Sequence, residues 1–280
     1  MTETGWTKLG LLAGGGDLPL EILKAQTERP VHVVVLRGFA DRDYAAYETT
    51  SRSVGEIGGM IRDLRVAGCD AVCFAGYVSR PDLSSLKMDG HGLIMVPKAL
   101  AAGRKGDDAV IRVVVSEFEQ AGFKVVGADS LLGQEGLPAG LIGSVEPDSA
   151  QRADAAKAMA VAAEIGRLDI GQGAVVVGGV VLAVEAQEGT NAMLERVAGL
   201  PPALRGTPEA RRGVLAKRPK PIQERRVDLP TIGVDTVARC AAAGLAGIVL
   251  EADGALIVDR EGVKAALATH GLFLLVEAAS

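Results

Sequence analysis

The first 130 residues repeat one pattern: a short apolar run, a polar or glycine-containing break, then apolar residues at helical spacing. Lys8 to Ala13 is apolar, Gly14, Gly15, Gly16 and Asp17 follow, and Leu18, Leu20, Ile22 and Leu23 mark a helix. Val31 to Leu36 reads as a second strand, and Ile57, Met60, Ile61 and Leu64 as the inner face of a helix ended by Gly68. Ala71 to Ala75 is a third strand and Pro97 to Ala102 a helical turn. Ala109 onward is a helix with Ile111, Val114, Val115 and Phe118 inward, and Phe123 to Ala128 a fourth strand. Strands that alternate with helices pair in parallel, and the order predicts a three-layer, doubly wound, Rossmann-like α/β domain over 1–130. With 48% hydrophobic but only 3% aromatic residues, the core has to be built from Ala, Val, Leu and Ile, which suits buried parallel strands.

Leu131 to Pro147 is rich in Gly and Pro without periodicity, so 131–148 reads as a linker and an expected hinge. The remainder, 149–280, changes character. An Ala-rich helix from Ser149 to Ile165 precedes Ala174 to Val177 and Val180 to Val184, and Gly178-Gly179 between them is a hairpin signal. Helices are expected at Ala192 to Ala198, Val234 to Ala243 and Glu261 to His270. Strands are expected at Gly247 to Leu250 and Leu272 to Val276, and Asp253-Gly254 turns into Ala255 to Val258. Hairpins mixed with helices predict a C-terminal α+β domain.

The formal net charge of −5 argues against a nucleic-acid partner, whose binding rests on neutralising phosphates. Cys69, Cys73 and Cys240 form no CxxC pair and read as core residues of a reducing compartment. The start of the chain lacks a signal-peptide pattern and no stretch approaches a membrane span, so a soluble, cytoplasmic protein is expected. His32, His91 and His270 form no catalytic pattern, and no GxSxG, P-loop or HExxH occurs.

One stretch stands out chemically. Between Arg211 and Arg226 lie seven Lys or Arg residues and a single acid, Glu224, and Asp228 follows among Val227, Leu229 and Pro230. In an acidic chain such a run addresses an anion, or is a solvated basic loop. Pro219, Pro221 and Pro230 exclude a regular helix and predict an extended, rigid strand, from which only one of Arg225 and Arg226 faces inward. Other candidates sit at strand ends. Gly14, Gly15 and Gly16 are placed to bring backbone amides to an anion, with Asp17 as helix cap, although Pro19 stands where the dinucleotide fingerprint needs a third glycine. Gly76, Tyr77 and Arg80 follow the third strand. Lys105 with Asp107 and Asp108 serves phosphate and metal, unless the acids simply cap the helix. Glu185, Gln187, Glu188, Gly189, Thr190 and Asn191 end the second hairpin strand.

Taken together, LAGGG with its following LP, GDDAVIR, DIGQG, VLAVEAQEGTNAML and AKRPKPIQERRVDLPTIG resemble the LpxI family, the UDP-2,3-diacylglucosamine pyrophosphatases of lipid A biosynthesis. The resemblance spans nearly the whole chain. It implies a cytoplasmic, two-domain enzyme that binds substrate between its domains and uses magnesium. Water would attack the phosphorus nearer the sugar, yielding 2,3-diacylglucosamine 1-phosphate (lipid X) and UMP. It makes Asp228 the essential aspartate, with Lys217, Lys220, Gln223 and Arg226 around it. Glu224 stands where Asp is expected, and Asn191 where Asp is frequent. Catalytic roles fall on Asp228, Lys217, Arg226 and Glu224, and metal binding on Asp228 with Glu188 or an acid of the 107–108 pair. Substrate binding is assigned to Gly14, Gly15, Gly16, Asp17, Gly76, Tyr77, Lys105, Asp108, Gly189, Thr190, Asn191, Lys220 and Gln223. A lipid substrate also implies transient contact with the inner membrane surface, and a homodimer is among the assemblies open to the chain. Two other readings compete: a nicotinamide-dependent oxidoreductase, for which Asp41 falls too late and Arg37 is nearer the strand end, and a non-catalytic binder of nucleotide sugars or lipid phosphates.

Overall fold

A computed structural model describes residues 5–79, 86–103, 106–134, 137–221 and 223–278. Arg80 and Lys105, and the side chain of Asp107, lie outside what is described. The chain forms two compact units, Met1–Gln134 and Glu135–Ser280.

In the first unit, β1 (Leu9–Ala13), α1 (Leu18–Ala25), β2 (Val31–Leu36), β3 (Glu48–Arg52), α2 (Ile57–Val66), β4 (Ala71–Ala75), α3 (Gly90–Gly103), α4 (Asp107–Gln120), β5 (Lys124–Val125) and α5 (Ala128–Leu131) follow in order. The sheet runs β3-β2-β1-β4-β5 and is parallel throughout, as the alternation of elements requires. Leu9, Leu11 and Leu12 of β1 are fully or almost fully buried because the central strand has helices over both faces. The order reverses between β1 and β4, so the ligand crevice of such a sheet opens between the loops after Ala13 and after Ala75. Two elements depart from expectation. The expected fourth strand shrinks to Lys124–Val125, since Ala128 already starts α5. An unforeseen edge strand, Glu48–Arg52, pairs with β2.

The second unit comprises β6 (Gly140–Ile142), α6 (Ser149–Arg167), β7 (Gly173–Val177), β8 (Val180–Val184), α7 (Gly189–Ala198), β9 (Val214–Lys217), β10 (Thr231–Ile232), α8 (Val234–Ala242), β11 (Gly247–Glu251), β12 (Leu256–Ile257), α9 (Arg260–His270) and β13 (Phe273–Glu277). Its main sheet runs β6-β13-β11-β9-β7-β8. The inner strands β13, β11 and β9 are parallel, and the hairpin and β6 add antiparallel strands. The stretch read as a linker thus lends β6 to this sheet. Alternate residues build two cores. Ala174, Val176, Val214, Ala216 and Val249 pack with Ala155, Ala158, Met159 and Ala162 of α6. Val175, Val177, Leu215, Ile248 and Leu250 pack with Met193 and Leu194 of α7, Val237 of α8 and Leu267 of α9. The period of two along each strand puts these sets on opposite faces, giving three layers. Burying each larger aliphatic side chain contributes about 1.5–3 kcal/mol.

The β7–β8 turn shows how sequence sets register. Gly178 and Gly179 take φ of +57° and +75°, which a two-residue hairpin requires and glycine adopts without strain. Buried Asp154 of α6 accepts both of their N–H groups, at 2.8 and 2.7 Å.

Candidate active site

The basic segment begins as β9, whose four residues are all buried. Lys217 ends that strand on the same side as Leu215, and only 4% of it is exposed. A buried ammonium is tolerated only when hydrogen-bonded. Lys217 Nζ donates to Thr190 Oγ1 at 2.8 Å and to the Thr231 carbonyl at 3.2 Å. The Thr190 hydroxyl in turn donates to Glu185 Oε1 at 2.9 Å. Thr190 belongs to the first turn of α7 and Glu185 directly follows β8, so two sheet-borne groups meet through one helix terminus.

Beyond Lys217 the expected extended strand does not continue. Pro219 and Pro221 cannot donate to a ladder, and the chain folds into two tight turns instead. Gln223 N–H reaches the Lys220 carbonyl at 3.1 Å, and the N–H groups of Val227 and Asp228 both reach the Glu224 carbonyl at 3.0 Å. The strand argument about Arg225 and Arg226 therefore lapses, and both are exposed. Arg226 forks onto Glu224, at 2.9 and 3.0 Å, while Arg225 donates to the Asp253 carbonyl. Lys220 Nζ sits 2.6 Å from Asp169, and both side chains are largely buried. Arg218 Nη2 lies 2.6 Å from Oε2 of buried Glu251, in a close ion pair without hydrogen-bond alignment.

Asp228 is half-buried. Its Oδ2 accepts from Gln223 Nε2 at 2.6 Å, and the same amide group reaches Gln172 Oε1 at 3.2 Å. The amide orientation follows from the Lys220 N–H, which donates to Gln223 Oε1 at 2.9 Å. Among the described residues no Lys or Arg pairs with Asp228. A carboxylate held by a neutral amide within the most basic part of the chain has an oxygen left for a ligand.

The other C-terminal candidates divide. Thr190 joins Lys217, whereas Asn191 turns to Asp235 of α8 at 3.2 Å. Gly189 begins α7 at φ +77°. Glu188 does not reach a carboxylate cluster: it is exposed and pairs with Arg196 at 2.7 Å. Its own backbone N–H and then Arg196 hold its carboxyl below the usual range. Among the described residues no three His, Cys, Asp or Glu side chains gather as a metal cage.

In the first unit the glycine turn is engaged with its own surroundings. Gly14 N–H goes to the Ala75 carbonyl at 2.8 Å, and Gly15 and Tyr77 exchange both backbone hydrogen bonds at 3.0 Å. Gly16 N–H goes to Asp41 Oδ1 at 2.8 Å, and Tyr77 hydroxyl donates to Asp41 Oδ2 at 3.0 Å. These amides do not form an open phosphate cradle. A Cβ on Gly15 would meet the Tyr77 ring at 2.4 Å, and one on Gly76 would meet the Gly15 carbonyl oxygen at 2.5 Å. Close backbone approach is by itself reason enough for glycine at these positions, and that removes the support for the oxidoreductase reading. Asp17 holds the N-cap position of α1, but its side chain makes no capping hydrogen bond and pairs instead with Arg42 at 2.6 Å. Asp108 is not a cap either, since Gly106 holds that position. Asp108 is buried and accepts from Arg112, one turn on, at 2.6 Å.

Sequence reasoning weighed Asp41 only as a ribose ligand and set it aside, carried Asp169 and Gln172 only inside the DIGQG motif, named Glu185 without a role, and passed over Glu251.

Against known proteins, residues 8–134 match the family model described as the LpxI N-terminal domain and residues 138–275 that of the LpxI C-terminal domain. A Caulobacter vibrioides protein named UDP-2,3-diacylglucosamine pyrophosphatase LpxI is 57% identical over 270 residues, 96% of each chain. The chain belongs to the LpxI family.

Proposed function

We propose that this protein hydrolyses the diphosphate of UDP-2,3-diacylglucosamine to 2,3-diacylglucosamine 1-phosphate and UMP. The 57% identical relative bears the name of that activity, and the basic loop offers chemistry that suits it. The observation that carries the reading is Asp228, a carboxylate not neutralised by any described cation, inside a segment built from Lys217, Arg218, Lys220, Arg225 and Arg226. Diphosphate hydrolysis is governed by positioning and charge neutralisation, because little covalent chemistry is asked of the protein.

In this reading Asp228 accepts a hydrogen bond from the attacking water and orients it. The water oxygen bonds to the phosphorus nearer the sugar as one of its O–H bonds breaks, the proton passing to Asp228 and from there to solvent. The bond from that phosphorus to the bridging oxygen breaks, and UMP leaves with the electron pair. Lys217 keeps one ammonium proton beyond those given to Thr190 and Thr231, and that proton serves a diphosphate oxygen. Magnesium fits beside Asp228: Oδ1 takes no hydrogen bond among the described residues, and magnesium typically needs one or two carboxylates, with phosphate oxygens and water completing its shell. When bound, it would neutralise diphosphate charge. Glu188 is spent on Arg196 and is not assigned to it.

The substrate's acyl chains place it in a membrane, and the reading extends to transient contact of the protein with that surface. No helix among the described residues is long and apolar enough to cross a membrane. Leu93, Ile94 and Leu100 are exposed on α3, which carries Lys98 and no acid. Buried thiols at all three cysteines suit a cytoplasmic setting.

Incubating the purified protein with UDP-2,3-diacylglucosamine and magnesium in H₂¹⁸O tests this reading. UMP should appear, with the label in the lipid phosphate. Binding without UMP release would make the protein a binder, and label in UMP would place the attack on the other phosphorus.

A further inference from the structure

Glu185 has no part in the mechanism above, yet the fold is shaped around it. It is buried, its N–H is fixed to the Gly173 carbonyl at 2.8 Å, and its Oε1 takes the Thr190 hydroxyl proton. Its Oε2 is shielded from solvent and accepts no hydrogen bond among the described residues. Room for that oxygen comes from Gly173, where a Cβ would lie 2.5 Å from it. Gly171 would in turn press a Cβ within 2.0 Å of the Glu185 carbonyl oxygen. A buried carboxylate with an unsatisfied oxygen is expensive, and a neutral side chain of the same size would fill the space at lower cost. Packing alone does not explain the charge.

We propose that Glu185 is a positioning residue that acts on Lys217 through Thr190. The claim rests on the diphosphate-hydrolase reading for its consequence, and on geometry for its connection. A hydroxyl has one proton. Because Thr190 gives it to Glu185, its oxygen lone pairs face the Lys217 ammonium, and the relay has one polarity: carboxylate, hydroxyl, ammonium. Lys217 is thereby held at two points, Thr190 Oγ1 and the Thr231 carbonyl, with its remaining proton fixed in direction. Losing the charge leaves the hydroxyl on a weaker acceptor and less firmly fixed in direction, which loosens the clamp without removing any side chain from the site.

Glu185→Gln keeps shape and an acceptor for Thr190 but removes the charge. The expected result is a fall in kcat of about ten- to a hundredfold, with KM within about twofold and an unfolding midpoint no lower than that of wild type. Thr190→Val should give a similar fall, and the double variant should be no worse than the poorer single one, since the residues act as one unit. Thr190→Ser should restore most of the activity. If Glu185→Gln fails to fold, the serine–valine contrast decides alone. Losses that multiply in the double variant, activity of Glu185→Gln within threefold of wild type, or equal activity of the serine and valine variants would each overturn the proposal. A wild-type protein that releases no UMP defeats the reaction reading instead. The relay is then read by NMR of the Lys217 Nζ protons: slow exchange in wild type and fast exchange in Glu185→Gln supports it, and equal exchange rejects it.

Discussion

Lys217→Met isolates the charge that the account places against the diphosphate. Methionine is unbranched and of similar length, so it occupies the stem's path through the buried end of β9. The ammonium disappears, and with it the hydrogen bonds to Thr190 and to the Thr231 carbonyl. Hydrogen bonds from a charged donor are worth about 1.5–3 kcal/mol each. Part of that loss is offset because a charge no longer has to be held out of water. A net destabilisation of about 1–3 kcal/mol is expected, which a domain stable by about 5–15 kcal/mol survives. Catalysis should suffer more. Removing one preorganised donor at developing charge typically costs about 10²–10³ in kcat, or about 2.7–4 kcal/mol. UMP release measured against substrate concentration should show that loss in kcat with KM changed only a few-fold, while urea unfolding confirms a folded protein. A folded Lys217→Met enzyme with kcat within about threefold of wild type would refute the reasoning.

Three further outcomes follow from the geometry. Asp154→Ala strips the acceptor from both N–H groups of the Gly178-Gly179 turn and should cost about 2–4 kcal/mol in urea unfolding, with a loss under about 0.5 kcal/mol contradicting it. Gly76→Ala, at φ +87° and with its Cβ 2.5 Å from a backbone oxygen, should destabilise clearly more than Gly122→Ala, at φ +93° with nothing within 4 Å. The latter should cost only the left-handed strain of about 1–2 kcal/mol. The Gly16 N–H first, then Tyr77 and Arg42, hold the Asp41 carboxyl below 3.8 against the opposing pull of burial. Its contribution is therefore complete above that pH and lost as pH falls through the folded value. The stability gap between wild type and Asp41→Asn should be constant from neutral pH down to about pH 5 and close below pH 4; a gap that widens in acid would reverse the sign.

Strong periodicity made most of the architecture readable. The runs at Leu9–Ala13, Val31–Leu36 and Ala71–Ala75 became parallel strands at nearly their expected limits, because a buried strand has to be apolar on both faces. Glu48–Arg52 escaped for the converse reason: as an edge strand reading ETTSR it buries no apolar side chain. The helix Gly90–Gly103 was hidden by its glycines and Pro97, leaving only its second half legible. Composition located the basic segment but not its path, since prolines forbid a helix without choosing between strand and turn. The glycine turn was ambiguous in the sequence because close packing of two backbones and approach to an anion select the same residue. Glu185 and Asp41 depend on partners 5 and 25 residues away in sequence, and no local pattern announces such pairs.

The most direct measurement is UMP release by Asp228→Ala beside wild type, at equal magnesium and with folding checked by urea titration. Wild type should turn over and the variant should lose about a hundredfold or more in kcat, because the freed carboxylate of this loop orients the water. Turnover by a folded Asp228→Ala protein at near the wild-type rate would contradict the account.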